Sequence, residues 1–162
     1  MKNNIVTLRE VLKDAEAGHY AVGSFSPRYT PLIGPILNVA QKNSSPVIVQ
    51  ISQRELILYG ITPGEFAGEF YKCVEEKDIT VPVVLHLDHT KEINLIKKAV
   101  DAGFKSVMID ASEKKLDENI AITAAVVEYA KKFGVSVEAE LGKIGTTDFV
   151  ESDNDEEMYT VS

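Results

Sequence analysis

Five short apolar runs, separated by stretches with helical features, constrain the fold of this chain more than any other feature of its sequence. The runs span residues 21–26, 47–52, 83–88, 106–110 and 136–141. Strand-length runs that alternate with amphipathic helices are typical of repeated right-handed βαβ units around a parallel sheet. We therefore expect an α/β fold with a single domain over residues 1–162.

The stretches between the runs carry helix start signals and apolar residues at helical spacing. Thr7 with Glu10 forms one capping box, and Thr62 with Glu65 forms a second. The expected helix ends are Gly18, Gly103 and Gly134. The expected buried stripes are Phe66, Phe70 and Cys73, then Ile93, Ile96 and Val100, and then Ile120, Ala124 and Val127.

Polar residues lie at or next to the carboxyl end of all five runs, in the same phase. Successive side chains of a strand point to opposite faces, so each run has an apolar side for helices and a side that ends in a polar residue. A single such residue is often only a turn former or a helix N-cap. Five of them at the carboxyl ends of parallel strands favour the active-site edge of a β/α barrel. These residues are Ser26, Ser52, Asp88, Asp110 and Glu140.

The overall composition excludes several classes of partner. Lys and Arg number 17 against 25 Asp and Glu, a formal net charge of -8, and no basic patch marks a surface for nucleic acid or an anionic membrane. No apolar run is long enough to span a bilayer, and the first residues fit an amphipathic helix better than a signal peptide. Because Cys73 is the only cysteine, no intramolecular disulfide forms, and we expect a cytoplasmic protein.

The polar cluster around Asp88 has the chemistry of a divalent metal site. Carboxylates and an imidazole, supplied by Asp88, His89, Asp110 and Glu140, suit a cation such as zinc. His86 lies one layer deeper and fits a hydrogen-bonded interior residue better than a ligand. A complete eight-stranded barrel needs roughly 250 residues, so the chain matches about the first five strands of one.

Several motifs carry a resemblance to a known family. The first two runs lie within the motifs "YAVGSFS" and "SPVIVQIS". The later runs overlap with the motifs "HLDH" at 86–89, "SVMIDAS" at 106–112 and "SVEAELGKIG" at 136–145. In this order and spacing they resemble the class II, zinc-dependent ketose-bisphosphate aldolases. The resemblance covers essentially the whole chain and implies a (β/α)8 TIM barrel, of which this chain supplies about the first five strands. We expect the full-length protein to be a homo-oligomer.

The resemblance also implies an activity for the complete protein. Members of the family split fructose 1,6-bisphosphate, or a related ketose phosphate, into dihydroxyacetone phosphate and an aldehyde. The implied cofactor is zinc, which acts as a Lewis acid on the ketose carbonyl. A second divalent or monovalent cation is a further expectation, because the family's carboxylates close to the metal hold one in some members.

Site roles follow from the resemblance position by position. Asp88 matches the catalytic acid/base that handles the proton of the C4 hydroxyl, and His89 matches one of three zinc-binding histidines. Asp110 and Glu140 match the carboxylates close to the metal. Ser52 matches a serine that contacts the substrate.

Three departures from the family pattern accompany these matches. Ser26 stands where the family has an asparagine that contacts the substrate, and Thr146 stands in the glycine pair of a mobile loop. Asp148 replaces the loop glutamate that moves the proton on the dihydroxyacetone phosphate carbon, which makes Asp148 the second catalytic candidate. We expect residues 143–162 to form a mobile loop and tail.

Alternatives to an active enzyme remain at this point. The two other zinc histidines and the phosphate-binding glycine loops of the family lie on later strands, which this sequence does not contain. The chain is therefore either part of an enzyme, a truncated inactive relative, or a non-catalytic accessory subunit. An unrelated metal-dependent hydrolase on the same fold would share the metal cluster, but it would not explain the "ELGKIG" loop.

Overall fold

The computed structural model describes residues 4–142 and contains one parallel sheet. Each strand pairs with the next one along the chain, in the order β1-β2-β3-β4-β5. All five predicted strands are confirmed, although the first, fourth and fifth are shorter than their apolar runs and the third extends two residues further. The strands are β1 (Gly23–Phe25), β2 (Val47–Ser52), β3 (Val83–Thr90), β4 (Ser106–Ile109) and β5 (Ser136–Ala139).

Helices occupy the connections between the strands. In the described residues they are α1 (Leu8–Gly18), α2 (Ile33–Lys42), α3 (Gln53–Tyr59), α4 (Pro63–Glu76), α5 (Ile93–Asp101) and α6 (Leu116–Lys131). A short 3-10 turn, Thr30–Leu32, precedes α2. The sequence patterns did not predict α2 or α3, because Gly34 and Pro35 interrupt the first and the second has only seven residues.

Capping boxes begin α1 and α4, as the sequence predicts. The backbone N–H of Thr7 donates to Glu10 Oε2 at 2.7 Å, and that of Thr62 donates to Glu65 Oε2 at 2.8 Å. Each threonine hydroxyl in turn accepts from the backbone N–H of its glutamate. Both helix starts are therefore determined locally, by four residues of sequence.

The end of α1 differs from the prediction. Gly18 belongs to the helix, and the exposed His19 adopts the left-handed conformation instead, with a φ of 53°. The backbone N–H of His19 bonds the carbonyls of Ala15 and Glu16. Histidine is one of the residue types that enters this region more readily than most, so the helix continues one residue past the expected end.

The main core lies between the sheet and the helices that cover its outer face. Phe66 and Phe70 of α4 are completely buried, as is Ile96 of α5. They pack in one cluster with alternate residues of each long strand, which are Val47, Val49, Ile51, Val83, Leu85, Leu87, Val107 and Ile109. These are the residues that the period-two pattern assigns to the helix side, so that assignment is confirmed.

The inner face of the sheet carries a smaller apolar cluster near the amino ends of the strands. Val11 of α1 packs there against Ile48 and Val84. The segment before α1 also bonds the start of β3, since the backbone N–H of Val83 donates to the carbonyl of Asn4 at 2.9 Å. The helix α1 therefore covers the amino-terminal part of this face and leaves the carboxyl-terminal part to polar side chains.

The buried face of α6 is not the predicted one. Ile120 is 56% exposed and Val127 is 44% exposed, whereas Val126 and Ala130 are buried. Asn119 is also buried, and its side-chain amide donates to the carbonyl of Glu140 at 2.9 Å. The helix has apolar residues around its whole circumference, so spacing alone does not determine which side faces the sheet.

Two expectations concern the chain as a whole. The mobile loop and tail expected over 143–162 lie outside the described residues, and a single domain over 1–162 stays a prediction. Within residues 4–142, every helix is too short or too polar to cross a membrane.

Candidate active site

The polar strand ends lie along one edge of the sheet. Ser52 and Asp88 are register partners in β2 and β3. Ser26, Asp110 and Glu140 directly follow the last residues of β1, β4 and β5. Because all five strands are parallel, the five side chains lie at the same carboxyl-terminal edge, as predicted.

A bulge at the end of β3 places Asp88 and His89 in the same site. Leu87 pairs with Val107 and Thr90 pairs with Ile109, so Asp88 and His89 together face the single residue between those partners. His89 has a φ of 33°, a left-handed conformation that costs a non-glycine residue about 1–3 kcal/mol. In a regular strand, neighbouring side chains point to opposite faces, and the bulge removes that restriction.

His89, the second residue of the bulge, forms a cluster with two carboxylates. His89 Nδ1 lies 3.6 Å from Asp110 Oδ2 and 3.5 Å from Glu140 Oε2. One ligand atom of each residue lies within 4.8 Å of the others, a spacing that can hold a metal ion. The three residues predicted as metal ligands from the sequence are thus brought together.

The pKa values of the two carboxylates in this cluster are shifted in opposite directions. Burial and the nearby Asp110 carboxylate raise the pKa of Glu140. Burial also acts on Asp110, but the hydroxyl and the backbone N–H of Ser112 donate to its Oδ1, at 2.6 and 3.1 Å, and lower the pKa of Asp110 overall. Glu140 Oε2 is buried and lacks a hydrogen-bond partner among the described residues. A buried oxygen without a donor beside a second carboxylate fits a divalent cation.

Asp88 occupies a different environment on the β2 side of the bulge. Gln50 Nε2 donates to Asp88 Oδ2 at 2.9 Å, and the Ser24 hydroxyl donates to the amide oxygen of Gln50. Burial is the main cause that raises the pKa of Asp88. The carboxylate is therefore oriented by one amide and is more basic than an exposed aspartate, which suits proton transfer.

His86 is a buried, hydrogen-bonded residue below the edge, as the sequence analysis favoured. Its Nδ1 lies 2.8 Å from the Ser106 hydroxyl, and its Nε2 lies 3.3 Å from Glu138 Oε2 and 3.9 Å from Asp88 Oδ1. The contact with His86 lowers the pKa of Glu138 despite its burial. Glu138 has the same phase in β5 as Glu140, so the alternation of that strand already pointed to it.

The two serines predicted to contact substrate bind a residue that the sequence analysis did not single out. The hydroxyls of Ser26 and Ser52 donate to Glu55 Oε2 at 2.7 and 3.1 Å. Arg28 Nε lies 3.4 Å from Glu55 Oε1. Ser52 is the N-cap of α3, and Glu55 completes its capping box. The spacing of Ser52 and Glu55 was the sequence signal for this group.

Asp148, the second catalytic candidate, lies outside the described residues, so its role stays a prediction. Thr90 follows His89 and does not cap the next helix. It is buried at the end of β3, and its hydroxyl donates to the carbonyl of Asp88 at 3.1 Å. Helix α5 begins without a side-chain cap, at Glu92.

Comparison with known proteins places this geometry in a family. A family model described as class-II fructose-bisphosphate aldolase matches residues 6–162. The chain belongs to this family. Its five-stranded parallel sheet corresponds to about the first five strands of the family's (β/α)8 barrel, which confirms the predicted fold.

Individual relatives agree with this assignment. The chain is 46% identical over 140 residues to 6-phospho-5-dehydro-2-deoxy-D-gluconate aldolase of Bacillus subtilis, covering 86% of this chain and 48% of the relative. It is 42% identical over 149 residues to fructose-bisphosphate aldolase of Geobacillus stearothermophilus, covering 88% and 49%. The crystal structure of the YdjI aldolase from Escherichia coli K12 matches with a TM-score of 0.77 and 29% identity, covering 85% and 52%. The chain thus spans about half the length of the relatives it matches.

Proposed function

We propose that the protein containing this chain catalyses metal-dependent aldol cleavage of a ketose phosphate, and the reverse condensation. The observation that carries the proposal is the bulge of β3. It places Asp88, a carboxylate with a raised pKa, next to His89, which lies in a group of three residues suited to a metal. Membership of the class-II aldolase family supports the same reaction.

The proposed metal is zinc, held in part by His89, with Asp110 and Glu140 close to it. The buried Oε2 of Glu140 accepts no hydrogen bond and lies 3.5 Å from the imidazole of His89, and both groups support this donor set within the described part of the chain. When bound, zinc supplies Lewis-acid polarisation of the substrate carbonyl. A second divalent or monovalent cation would use the same two carboxylates.

Asp88 is proposed to take the proton of the C4 hydroxyl when the C3–C4 bond breaks, and to return it in condensation. The amide of Gln50 donates to Asp88 Oδ2 at 2.9 Å, and Asp88 Oδ1 lies 3.9 Å from His86 Nε2, so both neighbours help to orient the carboxylate. Ser52, the register partner of Asp88, and Ser26 are the proposed substrate contacts on the neighbouring strands. Asp148 is proposed to move the proton on the dihydroxyacetone phosphate carbon.

Two substrates are candidates. Fructose 1,6-bisphosphate is the expectation from the sequence motifs and agrees with the name of the Geobacillus stearothermophilus relative. The 6-phospho-5-dehydro-2-deoxy-D-gluconate named for the Bacillus subtilis relative is favoured by its identity of 46%. Each carries a ketone next to a phosphorylated carbon and a hydroxyl two carbons beyond the ketone, so the catalytic residues serve either one. A cytoplasmic homo-oligomer is the proposed form of the full-length protein.

The test pairs Asp88→Ala and His89→Ala in the full-length protein, with zinc content and cleavage rate measured for each variant. Asp88→Ala should keep its zinc and lose about 10²–10⁴-fold in rate, the usual contribution of a positioned acid or base. His89→Ala should lose zinc and activity together. His19→Ala removes an exposed histidine at the end of α1 and is the matched control.

Particular results would contradict the proposal. Parental cleavage by Asp88→Ala, or full zinc and activity in His89→Ala, would overturn the assigned roles. A parent protein that binds zinc but cleaves neither substrate would favour the non-catalytic accessory subunit. Two further histidines and a glycine-rich phosphate loop in the reading frame after Ser162 would support the enzyme.

A further inference from the structure

The strand order places Asp88 between two unlike groups along the edge of the sheet. On the β4–β5 side lies the cluster of His89, Asp110 and Glu140. On the other side lies a group that we call the β1–β2 corner, formed by Ser26, Arg28, Ser52 and Glu55. A substrate bound at Asp88 therefore extends toward a metal site in one direction and toward the β1–β2 corner in the other.

The direction of the substrate follows from the roles proposed above, on which this inference rests. The ketone and the carbon next to it belong on the metal side, because the carbonyl is the group that a metal polarises. The hydroxyl that loses its proton belongs at Asp88. It is the C4 hydroxyl of fructose 1,6-bisphosphate and the C3 hydroxyl of 6-phospho-5-dehydro-2-deoxy-D-gluconate. The rest of the aldehyde-forming half then lies over β2 and β1, one or two strand spacings of about 4.8 Å from Asp88.

Both candidate substrates end this half in an oxyanion. In fructose 1,6-bisphosphate it is the C6 phosphate, and in 6-phospho-5-dehydro-2-deoxy-D-gluconate it is the C1 carboxylate. The edge of the sheet is otherwise rich in carboxylates, since Asp88, Asp110 and Glu140 are all partly exposed there. A bound oxyanion needs a cation to offset this negative potential.

Arg28 provides a cation at the β1–β2 corner, where it pairs with Glu55. Its Nε lies 3.4 Å from Glu55 Oε1, while its side chain is 74% exposed. Glu55 is itself anchored, since its Oε2 accepts from the hydroxyls of Ser26 and Ser52 and from the backbone N–H of Ser52 at 3.0 Å. These hydrogen bonds lower the pKa of Glu55 despite its partial burial, so it stays charged opposite Arg28. Pairing through Nε leaves the two terminal amino groups of the guanidinium for another anion.

We propose that Arg28 is a specificity-determining residue that binds the terminal oxyanion of the aldehyde-forming half of the substrate. A guanidinium binds phosphate and carboxylate alike through two parallel N–H groups, so the chemistry serves either candidate. Glu55 and the two serines act as positioning residues for Arg28. On this basis Ser26 and Ser52 support the substrate-binding cation through Glu55.

The test compares Arg28→Met with the parent full-length protein on three substrates. Fructose 1,6-bisphosphate and 6-phospho-5-dehydro-2-deoxy-D-gluconate carry the oxyanion, and fructose 1-phosphate lacks it. Arg28→Met should lower kcat/KM about 10- to 100-fold, mainly through KM, on whichever oxyanion-bearing substrate the parent uses. Its kcat/KM for fructose 1-phosphate should stay within about twofold of the parent value, because no oxyanion is present to lose. The comparison of the first two substrates shows whether phosphate or carboxylate is the natural ligand.

Two more variants sharpen the result. Arg28→Lys keeps the positive charge but lacks the two parallel N–H groups of the guanidinium. Its kcat/KM on the oxyanion-bearing substrates should lie between the values of the parent and of Arg28→Met. Arg9→Met removes an exposed arginine of α1, which covers the amino-terminal part of the sheet, and is the matched control, which should behave as the parent on all three substrates. Zinc content and circular dichroism verify that each variant is folded and metal-bound.

Each outcome has a distinct meaning. An unchanged KM for the oxyanion-bearing substrates, or an equal loss on fructose 1-phosphate, overturns the role of Arg28 and leaves the proposed aldolase intact. A parent protein that cleaves none of the three substrates overturns the proposed function, and the role of Arg28 with it.

Discussion

At the level of single residues, the carboxylates of Glu140 and Asp110 lie close together beside His89, an arrangement that a bound cation would stabilise. Burial and the neighbouring Asp110 raise the pKa of Glu140, so its ionised form is less stable in the fold than in the unfolded chain. A folded-state pKa raised above the unfolded value means that ionised Glu140 destabilises the metal-free protein at neutral pH. A divalent cation in the cluster would reverse this effect.

We therefore expect opposite effects of Glu140→Gln with and without zinc. Without zinc the variant should be at least as thermally stable as the parent, because it lacks the disfavoured charge. With zinc at about 100 times its Kd, the parent should gain about 2.7 kcal/mol in free energy of unfolding and the variant distinctly less. Calorimetry of the full-length protein with and without chelator measures both. An equal gain in the two proteins would contradict the metal site.

The pKa of Glu55 is lowered in the fold, whereas that of Glu140 is raised, and this lowering predicts how stability depends on pH. Burial alone would raise its pKa, but hydrogen bonds from Ser52 and Ser26 and the charge of Arg28 lower it overall. Its stabilising contribution is therefore complete above the unfolded glutamate pKa of about 4.3 and is lost as the pH falls through the lower folded pKa.

The matching experiment is urea unfolding of the parent and of Glu55→Gln at several pH values. At neutral pH the parent should be more stable by about 1 kcal/mol, because glutamine keeps the capping geometry but lacks the charge that strengthens the hydrogen bonds from the two serines. This difference should shrink below about pH 4 as the carboxylate protonates. A difference that stays constant down to about pH 2 would show that the charge of Glu55 contributes nothing.

At the scale of elements, α4 supplies the largest buried side chains of the outer layer. Phe66 and Phe70 are fully buried, and Phe66 stacks on Phe104 at 6.3 Å between ring centroids. The capping box at Thr62 and Glu65 determines where this helix begins, and therefore which residues face the sheet. Its packing supports β2 and β3 in the register that brings Ser52 opposite Asp88.

Truncation of the buried ring measures this contribution. Phe70→Ala should lower the free energy of unfolding by about 3–5 kcal/mol, through lost transfer energy and the cavity left behind. Phe133 is 50% exposed, so Phe133→Ala is the control, with a much smaller loss. Shifts of the urea midpoint report both values. Similar shifts for the two variants would contradict the central place of α4 in the core.

At the scale of the whole molecule, the five-stranded sheet has two outer strands. In the described residues, β1 pairs only with β2 and β5 pairs only with β4, so each has a free edge. Large apolar side chains are exposed near one of these edges, such as Phe25, at 50%, and Val39, at 60%. Unpaired edges beside apolar surface promote association of chains.

The 162-residue chain expressed alone should therefore associate in solution. Multi-angle light scattering measures this directly, as a mass above the 17.8 kDa of one chain that rises with concentration. Lysine or glutamate in place of the exposed Val39 should reduce association, and the same change at the exposed Ile120 of α6 controls for general solubility. A stable monomer at all concentrations would contradict the expectation.

The order of the five strands, their faces and the polar edge were all predictable from the pattern of residues. These features follow from local rules, since side chains alternate along a strand and parallel strands share one carboxyl-terminal edge. Ser52, Asp88, Asp110 and Glu140 could therefore be assigned to one edge from the strand pattern alone. The capping boxes of α1 and α4 were also predictable from the sequence, because each depends on only four residues.

Which of these residues touch depends on how the strands and helices pack together. The bulge that brings Asp88 and His89 into one site depends on pairing with β4, a strand about twenty residues further along the chain. The residues around Asp88 therefore do not predict it. The buried face of α6 was wrong in the sequence analysis, because an all-round apolar helix takes its orientation from packing and from the contact of Asn119 with Glu140. Arg28 and Glu55 meet for the same reason, since residues beyond adjacent parallel strand ends become neighbours only when the sheet forms.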